Sequence, residues 1–337
     1  MLVLLYVAQL VLGGGLLYFG AEWLVKGSAG LALAFGLRPL VVGLTVVAYG
    51  TSAPELTVSL AAVLEGRGAL ALGNAIGSNI ANLGLILGVT ALISPPRVEG
   101  GLIWREIPFL VGTAAVVPLL LLDGTMSRLE GAALCATSVG YSAWVIRSAR
   151  GGPARVSPPR PSPDERGALL AAREMEADAE RAGAPGGGGK LRLAVITVVG
   201  LGLLILGGKV FVDGAVGVAL GVGMSERLVG LTIVAVGTSL PELATSVIAA
   251  LRGHSDIAVG NVVGSNIFNV LIILGAAALA RPLEGSPGAM AVDLIALGAL
   301  TALAAIAMRT ERVLRRAEGA ALLAMYVAFV VALILAG

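Results

Sequence analysis

Two carboxylates sit where carboxylates are costly. Glu55 and Glu242 lie inside long apolar runs, each closing a hexapeptide of breakers and hydroxyls: Gly50-Thr51-Ser52-Ala53-Pro54-Glu55 and Gly237-Thr238-Ser239-Leu240-Pro241-Glu242. A charged side chain at that depth of an apolar helix costs at least ~2.5 kcal/mol, and such residues mark ion pathways. The proline removes one amide donor and clashes with the preceding turn, so each helix is expected to open locally. Carbonyls freed within a bilayer must find protein, water or a cation. Thr51 and Thr238 precede their glutamates by four residues, which allows hydroxyl and carboxylate to share one helix face. The chemistry this suggests is oxygen coordination of a hard cation. The alternative is a permanently protonated, structural glutamate, and the duplication described below, which brings both to one axis, argues against it.

A second pair of segments follows. Gly73-Asn74-Ala75-Ile76-Gly77-Ser78-Asn79-Ile80-Ala81-Asn82 has its twin in Gly260-Asn261-Val262-Val263-Gly264-Ser265-Asn266-Ile267-Phe268-Asn269. Asn74, Ser78 and Asn82 form one polar stripe at helical spacing, as do Asn261, Ser265 and Asn269. The stripe is either interhelical hydrogen bonding or a row of neutral oxygens facing the two carboxylates. In the second case the set suits calcium, which takes about 6–8 oxygen ligands. Soft ligands are missing: the single cysteine, Cys135, lies in an apolar run, and the single histidine, His254, is expected to be exposed in a loop beside Arg252 and Asp256. Zinc and copper chemistry are therefore disfavoured. No nucleophile–base pair or phosphate loop is visible, so the chain reads as no enzyme. Gly77, Gly84, Gly88, Gly264 and Gly275 are expected to allow close helix contacts.

The elements that must hold these residues follow from composition. Of 337 residues, 57% are hydrophobic and 13% charged, about half the charge of a soluble domain. What survives is an all-α polytopic membrane protein in a lipid bilayer. Val42–Leu92 and Val229–Leu279 align without a gap at an offset of 187, with about 29 of 51 positions identical. The chain is a duplicated unit. Apolar runs give ten spans, near 2–35, 39–64, 69–93, 102–122 and 129–148, then 192–222, 226–251, 257–280, 288–307 and 313–336. Five spans per repeat is an odd number, so the second repeat must enter the membrane upside down, the inverted-repeat plan of secondary transporters. The expected organisation is a first five-helix repeat over 1–148, a cytoplasmic linker over 149–191, and a second repeat over 192–337. Arginine placement puts eight on the inner connections (Arg38, Arg97, Arg105, Arg252, Arg309, Arg312, Arg315, Arg316) against four on the outer ones (Arg67, Arg128, Arg227, Arg281). Both termini are thus expected outside an inner, multi-pass membrane. The long N-terminal apolar run reads as a retained span. The linker is rich in proline, charge and glycine and reads as a cytosolic tether with a short solvated helix.

GTSAPE and GTSLPE, each followed by GNxxGSNIxN, resemble the alpha repeats of the sodium/calcium exchanger family within the cation/calcium exchangers, and of its bacterial calcium/sodium antiporters in particular. The resemblance spans both repeats and the ten-span layout. It implies ion sites among the second, third, seventh and eighth helices. By matching position, Glu55 and Glu242 would bind calcium; Thr51, Ser52, Ser78, Thr238, Ser239 and Ser265 would help bind sodium; Asn82 and Asn269 would line the centre. Relatives that use an acid at the Asn269 position include potassium-dependent ones, so neutral Asn269 speaks against potassium co-transport. Neither GNAIG nor GNVVG matches the GNxxE motif of the proton-coupled branch, which favours sodium as the counter-ion.

Two glutamates neutralise one Ca2+ or attract several Na+, and overlapping oxygens cannot hold both at once. Mutual exclusion at a site opened alternately to each side is antiport. The expected function is therefore Ca2+/Na+ exchange, with those ions as substrates, no resident cofactor, no nucleic acid and no obligate protein partner. A proton-coupled antiporter of the same fold and a passive cation channel remain open. The long first and sixth spans resemble the family's sliding gate helices. They carry Glu22/Lys26 and Lys209/Asp213 with the sign order reversed, which reads as a pair of snorkelling salt bridges or as part of a gate.

Overall fold

A computed structural model describes residues 2–149, 188–224, 235–285, 288, 290–309 and 312–336. The central linker falls almost wholly outside these, as do residues 225–234 at the start of the second repeat motif. What is described is helical throughout, because a backbone in lipid must satisfy its own hydrogen bonds. The exceptions are a two-residue antiparallel ladder, Thr125–Met126 on Leu283–Glu284, and one bridge between Arg97 and Val313.

In chain order, α1 is Leu2–Ala34, and α2 and α3 are the bent pair Pro39–Thr51 and Ala53–Leu64. Next come α4, Gly68–Ile93; α5, Leu102–Leu120; and α6, Arg128–Ala149. The second half holds α7, Gly188–Gly221; α8, Ala235–Gly237; α9, Leu240–Leu251; α10, Ser255–Ala280; α11, Ala291–Arg309; and α12, Arg316–Ala336. Among the described residues, seven helices are long and apolar enough to cross a membrane, or eight if α2 and α3 form one broken span. Large apolar side chains such as Leu4, Val11, Trp104, Leu119 and Leu335 stand exposed around the outside, a surface that suits lipid rather than water. The helices α1 (33 residues) and α7 (34 residues) would each be about 50 Å long, well beyond the roughly 30 Å hydrocarbon layer.

Glycine fixes the tightest contact. α1 and α7 run antiparallel, and a methyl group added at Gly20 would lie 2.7 Å from the Leu204 amide nitrogen. Gly13 and Gly27 meet Phe211 and Thr197, while Gly200, Gly207 and Gly214 meet Leu24, Leu17 and Tyr6 with Leu10 in return. Both glycine sets recur every seven residues, which keeps one seam along two straight helices. Two further crossings repeat one another across the repeats. Gly88 on α4 abuts Gly319 on α12, and Gly275 on α10 abuts Gly131 on α6. Gly84 packs on Tyr326, and Gly264 packs on Leu44 and Ala48. These bear out the glycine expectation at Gly84, Gly88, Gly264 and Gly275, whereas a methyl added at Gly77 would meet nothing within 4 Å. The stretch that corresponds to Leu44 for Gly77 is residue 231, outside the described residues.

The interior lies between α4, α10 and the bent α2–α3 pair. α10 packs along Gly43–Val47, and α3 and α9 pack on α4 and α10 respectively. α4 and α10 are the best buried of the long helices, while α12 is mostly exposed. The polar stripe therefore sits on the two helices most removed from lipid.

Candidate cation site

The break appears where the sequence placed it. Between Thr51 and Ala53 the helix axis turns by 44°, with Ser52 at the hinge (φ −83°, ψ 7°) and Pro54 in the first turn of α3. Its counterpart is Ser239 (φ −90°, ψ 7°) between α8 and α9, with Pro241 opening α9. Proline suits a first helical turn, where its missing amide leaves no bond unmade. Each glutamate consequently stands in the first turn of a new helix, where its charge meets the helix's positive end.

Of the expected site residues, Thr51, Ser52, Glu55, Ser78, Asn82, Ser239, Glu242, Ser265 and Asn269 are all buried, and Thr238 is half-buried. The expected sharing of a face between Thr51 and Glu55 gives way to a crosswise arrangement. Ser52 Oγ donates to Glu242 Oε1 at 3.0 Å, and Thr51 also stands beside Glu242. Ser239 stands beside Glu55, and the two carboxylates lie close enough to repel. The bend explains this, since four-residue spacing aligns side chains only along an unbroken helix. Each repeat's hydroxyls thus attend the other repeat's carboxylate.

The polar stripe splits into two jobs. Asn74 Nδ2 donates to the Glu55 carbonyl at 3.1 Å and to Ser59 Oγ at 2.8 Å. Asn261 Nδ2 repeats this with the Glu242 carbonyl at 3.4 Å and Ser246 Oγ at 3.0 Å, and its Oδ1 accepts from Thr51 Oγ1 at 3.2 Å. These two amides pin the glutamate-bearing turns to α4 and α10, the interhelical reading of the stripe. Ser265 Oγ reaches the Ala48 carbonyl at 3.5 Å. Asn82 and Asn269 are in a different condition. Asn82 Oδ1 and both amide atoms of Asn269 are buried without a hydrogen-bond partner. Glu55 Oε2, Glu242 Oε2 and Ser239 Oγ share that condition. An unpartnered buried oxygen is expensive, typically ~1–3 kcal/mol and more for a charged group. Five such oxygens fall just short of the roughly 6–8 that calcium takes, a shortfall the neighbouring hydroxyls are placed to fill. Among the described residues no three acids, histidines or cysteines cluster, so such a shell would be two carboxylates completed by amides and hydroxyls.

Sequence reasoning did not foresee the backbone around the asparagines. Asn82–Ile86 and Asn269–Leu274 are π-helical turns at equivalent places, and Gly43–Val47 is another beside the first break. The wider turn leaves carbonyls poorly paired, a feature frequent at functional sites. Its only advance signal was the polar–glycine content repeated in both halves. Two further expectations are corrected. His254 is half-buried rather than exposed: it precedes α10, its Nε2 is shut away without a partner, and burial pushes its pKa down to about 4. Glu22 is held by Arg252, at 2.8 and 2.9 Å, a partner that spacing along α1 did not show. Lys209 and Asp213 are both exposed on α7. Glu106 was also missed: it is buried at the start of α5 beside Arg105, which bonds Ser148 and lies over the Trp144 ring.

Comparison with known proteins gives the same picture from outside. The family model described as Sodium/calcium exchanger protein matches residues 5–147 and 192–335. A putative antiporter, CaxA, from Alkalimonas amylolytica is 37% identical over 317 residues, covering 93% of this chain and 94% of that protein. The sodium/calcium exchanger MaX1 of Methanosarcina acetivorans is 32% identical over 347 residues, covering 96% and 97%. A solved structure of the sodium-calcium exchanger NCX_Mj, soaked with 10 mM Na+ and zero Ca2+, superposes with a TM-score of 0.78 at 31% identity, covering 97% and 98%.

Proposed function

This chain belongs to the sodium/calcium exchanger family, and from that premise we propose that it exchanges Ca2+ for Na+ by alternating access at one mid-membrane site built around Glu55 and Glu242. The observation that carries the proposal is the set of five buried oxygens without partners, contributed by α3, α4, Ser239, α9 and α10. Two carboxylates balance one Ca2+. The same oxygens, supplemented by Thr51, Ser52, Ser78, Thr238 and Ser265, can instead take Na+ ions of similar radius, and the two occupancies exclude one another. Exclusion at a shared site converts a sodium gradient into calcium movement.

The architecture that fits this is ten spans in two inverted five-helix repeats, over 1–148 and 192–337, joined by a cytoplasmic linker over 149–191. Arg128–Ala149 and the run ending in Leu240–Leu251 supply the spans beyond the long apolar helices. Inversion is supported by the antiparallel packing of α1 on its twin α7. It is supported again by the paired short ladders: Met126 meets Leu283 at one connection and Val313 meets Arg97 at the other, each residue the other's twin at an offset of 187 or 186. Arginine distribution supports a reading with both termini outside an inner membrane.

The test is the counter-ion dependence of 45Ca2+ flux in proteoliposomes. Uptake driven by an outward Na+ gradient, and lost in Glu55→Gln, is the expected result. Flux driven by a pH gradient in sodium-free buffer would replace sodium by protons. Flux needing no counter-ion would make the protein a channel.

A further inference from the structure

The sign reversal between Glu22 on α1 and its twin Lys209 on α7 extends to their surroundings. Arg252, which holds Glu22, has Glu65 as its own twin at the offset of 187. The pair Glu22–Arg252 in one half therefore corresponds to Lys209–Glu65 in the other, with both charges exchanged. The two connecting turns match in detail: Arg252 and Glu65 each terminate a helix at φ near −85° and −80°, and Gly253 and Gly66 follow at φ +78° and +80°. Equivalent backbones thus offer equivalent reach.

The two pairs are in different conditions. Glu22 and Arg252 are joined by two short contacts, 2.8 and 2.9 Å, at side-chain exposures of 25% and 34%. Lys209 is exposed and has no ion-pair partner among the described residues, while Glu65 has turned to Arg67, two residues away, at exposures near 60%. Packing follows the charges. α1 lies along α9, the helix that carries Glu242, whereas α7 makes no comparable packing with α3, the helix that carries Glu55. One helix pair is joined and its twin is not. The α1–α7 pair is itself closely packed, its glycine seam leaving no room between the backbones.

We propose that Glu22–Arg252 and Lys209–Glu65 are alternate latches of the transport cycle: the first closes α1 on α9 in the state seen here, and the second closes α7 on α3 in the opposite state. The inference rests on the exchange reading above, since two states related by inversion are what antiport requires. Opposite sign order would keep each latch from cross-pairing with like-signed groups of the other half: Glu22 cannot pair with Glu65, nor Lys209 with Arg252. An exposed or half-exposed pair shifts a two-state balance by about two- to five-fold.

The test is hydrogen exchange on the intact protein in nanodiscs, read at two turns, residues 64–70 and 251–257, alongside sodium-driven calcium flux. Glu22→Gln is expected to lower protection at 251–257 and raise it at 64–70, each by about two- to five-fold. Lys209→Gln, added to Glu22→Gln, is expected to bring both turns back toward wild type, and Glu65→Gln to do the same. A merely structural Glu22 bond would change 251–257 alone and ignore Lys209, and that result overturns the proposal. So does a lack of effect of Lys209→Gln and Glu65→Gln on the Glu22→Gln background. If the wild-type protein shows no sodium-driven flux the exchange reading fails, while the exchange at the two turns still decides the latch.

Discussion

Replacing Glu242 by glutamine keeps shape and removes one charge, so its consequences reduce to charge balance at a buried position. Glu242 and Glu55 are each 1% exposed. In the proposed site, bound Ca2+ makes the wild type neutral, and with Glu242→Gln it leaves one uncompensated positive charge. A single charge at the bilayer centre costs ~2.5–3.5 kcal/mol by the lower estimates. At about 1.4 kcal/mol per factor of ten, the calcium dissociation constant is expected to rise ~100-fold or more. Sodium behaves differently. One Na+ leaves the wild-type site at minus one and the variant at zero, so the variant reaches neutrality with its first sodium, and that step is expected to weaken by no more than about tenfold. Thermal shift of the purified protein, titrated with CaCl2 and with NaCl at pH 7, reads both constants through ligand stabilisation. Equal loss of both ions would mean that Glu242 holds the fold together and not the cation. Unchanged calcium binding would remove it from the site altogether.

Three other perturbations follow from particular contacts. Ser52→Ala deletes the 3.0 Å bond to Glu242 without altering net charge, so calcium affinity is expected to fall about tenfold, well short of the Glu242→Gln loss, in the same titrations. Gly20→Val places a side chain 2.7 Å from the Leu204 nitrogen and is expected to lower the melting temperature by an overpacking cost of ~1–3 kcal/mol; Gly202→Val, whose added carbon meets nothing within 4 Å, is expected to leave it near wild type. His254 is neutral in the fold with a pKa of about 4 against 6.5 when free, so the unfolded chain binds the extra proton. Stability from this residue is complete above the free value, declines as pH falls from 6.5 and is fully lost near 4, a difference of ~1–3 kcal/mol. The melting temperature of His254→Gln is expected to fall less than that of wild type across this window, and parallel curves would refute the assignment.

The sequence was most legible where chemistry conflicts with environment. A glutamate beside proline in an apolar run has few explanations, and the offset of 187 paired the residues of the two repeat motifs before any coordinate. The 44° break at Ser52 falls beside Pro54, where the sequence led one to look for it. Partner identity was not legible. Spacing along α1 suggested Lys26 for Glu22, but Arg252 comes from a turn 230 residues away, a distance no local pattern encodes. The stripe of asparagines looked uniform in sequence because Asn74 and Asn82 share a face. In the fold Asn74 donates to a backbone carbonyl while Asn82 Oδ1 is buried without a partner, a difference that a shared face does not encode. The π-helical turns were hidden for the same reason, since one added residue per turn leaves composition unchanged. His254 was misplaced because a polar neighbourhood in sequence is not an exposed one in space.

The crosswise hydrogen bonding also bears on how the proposed site would work. Because Ser52 serves Glu242 and Ser239 stands by Glu55, neither repeat contains a finished half-site. A change in one repeat's break is therefore felt first by the other repeat's carboxylate. Asn261 tightens the link, since it holds the Glu242 carbonyl while accepting from Thr51. Movement of α2 relative to α10 cannot then alter one carboxylate's surroundings and leave the other untouched. For an exchanger this coupling has a specific use: access must change for all ligands together, or an ion would slip through a half-open site. In the proposed cycle that coupling is a use of the crosswise bonds distinct from calcium affinity, which two carboxylates with ligands on their own helices would also provide.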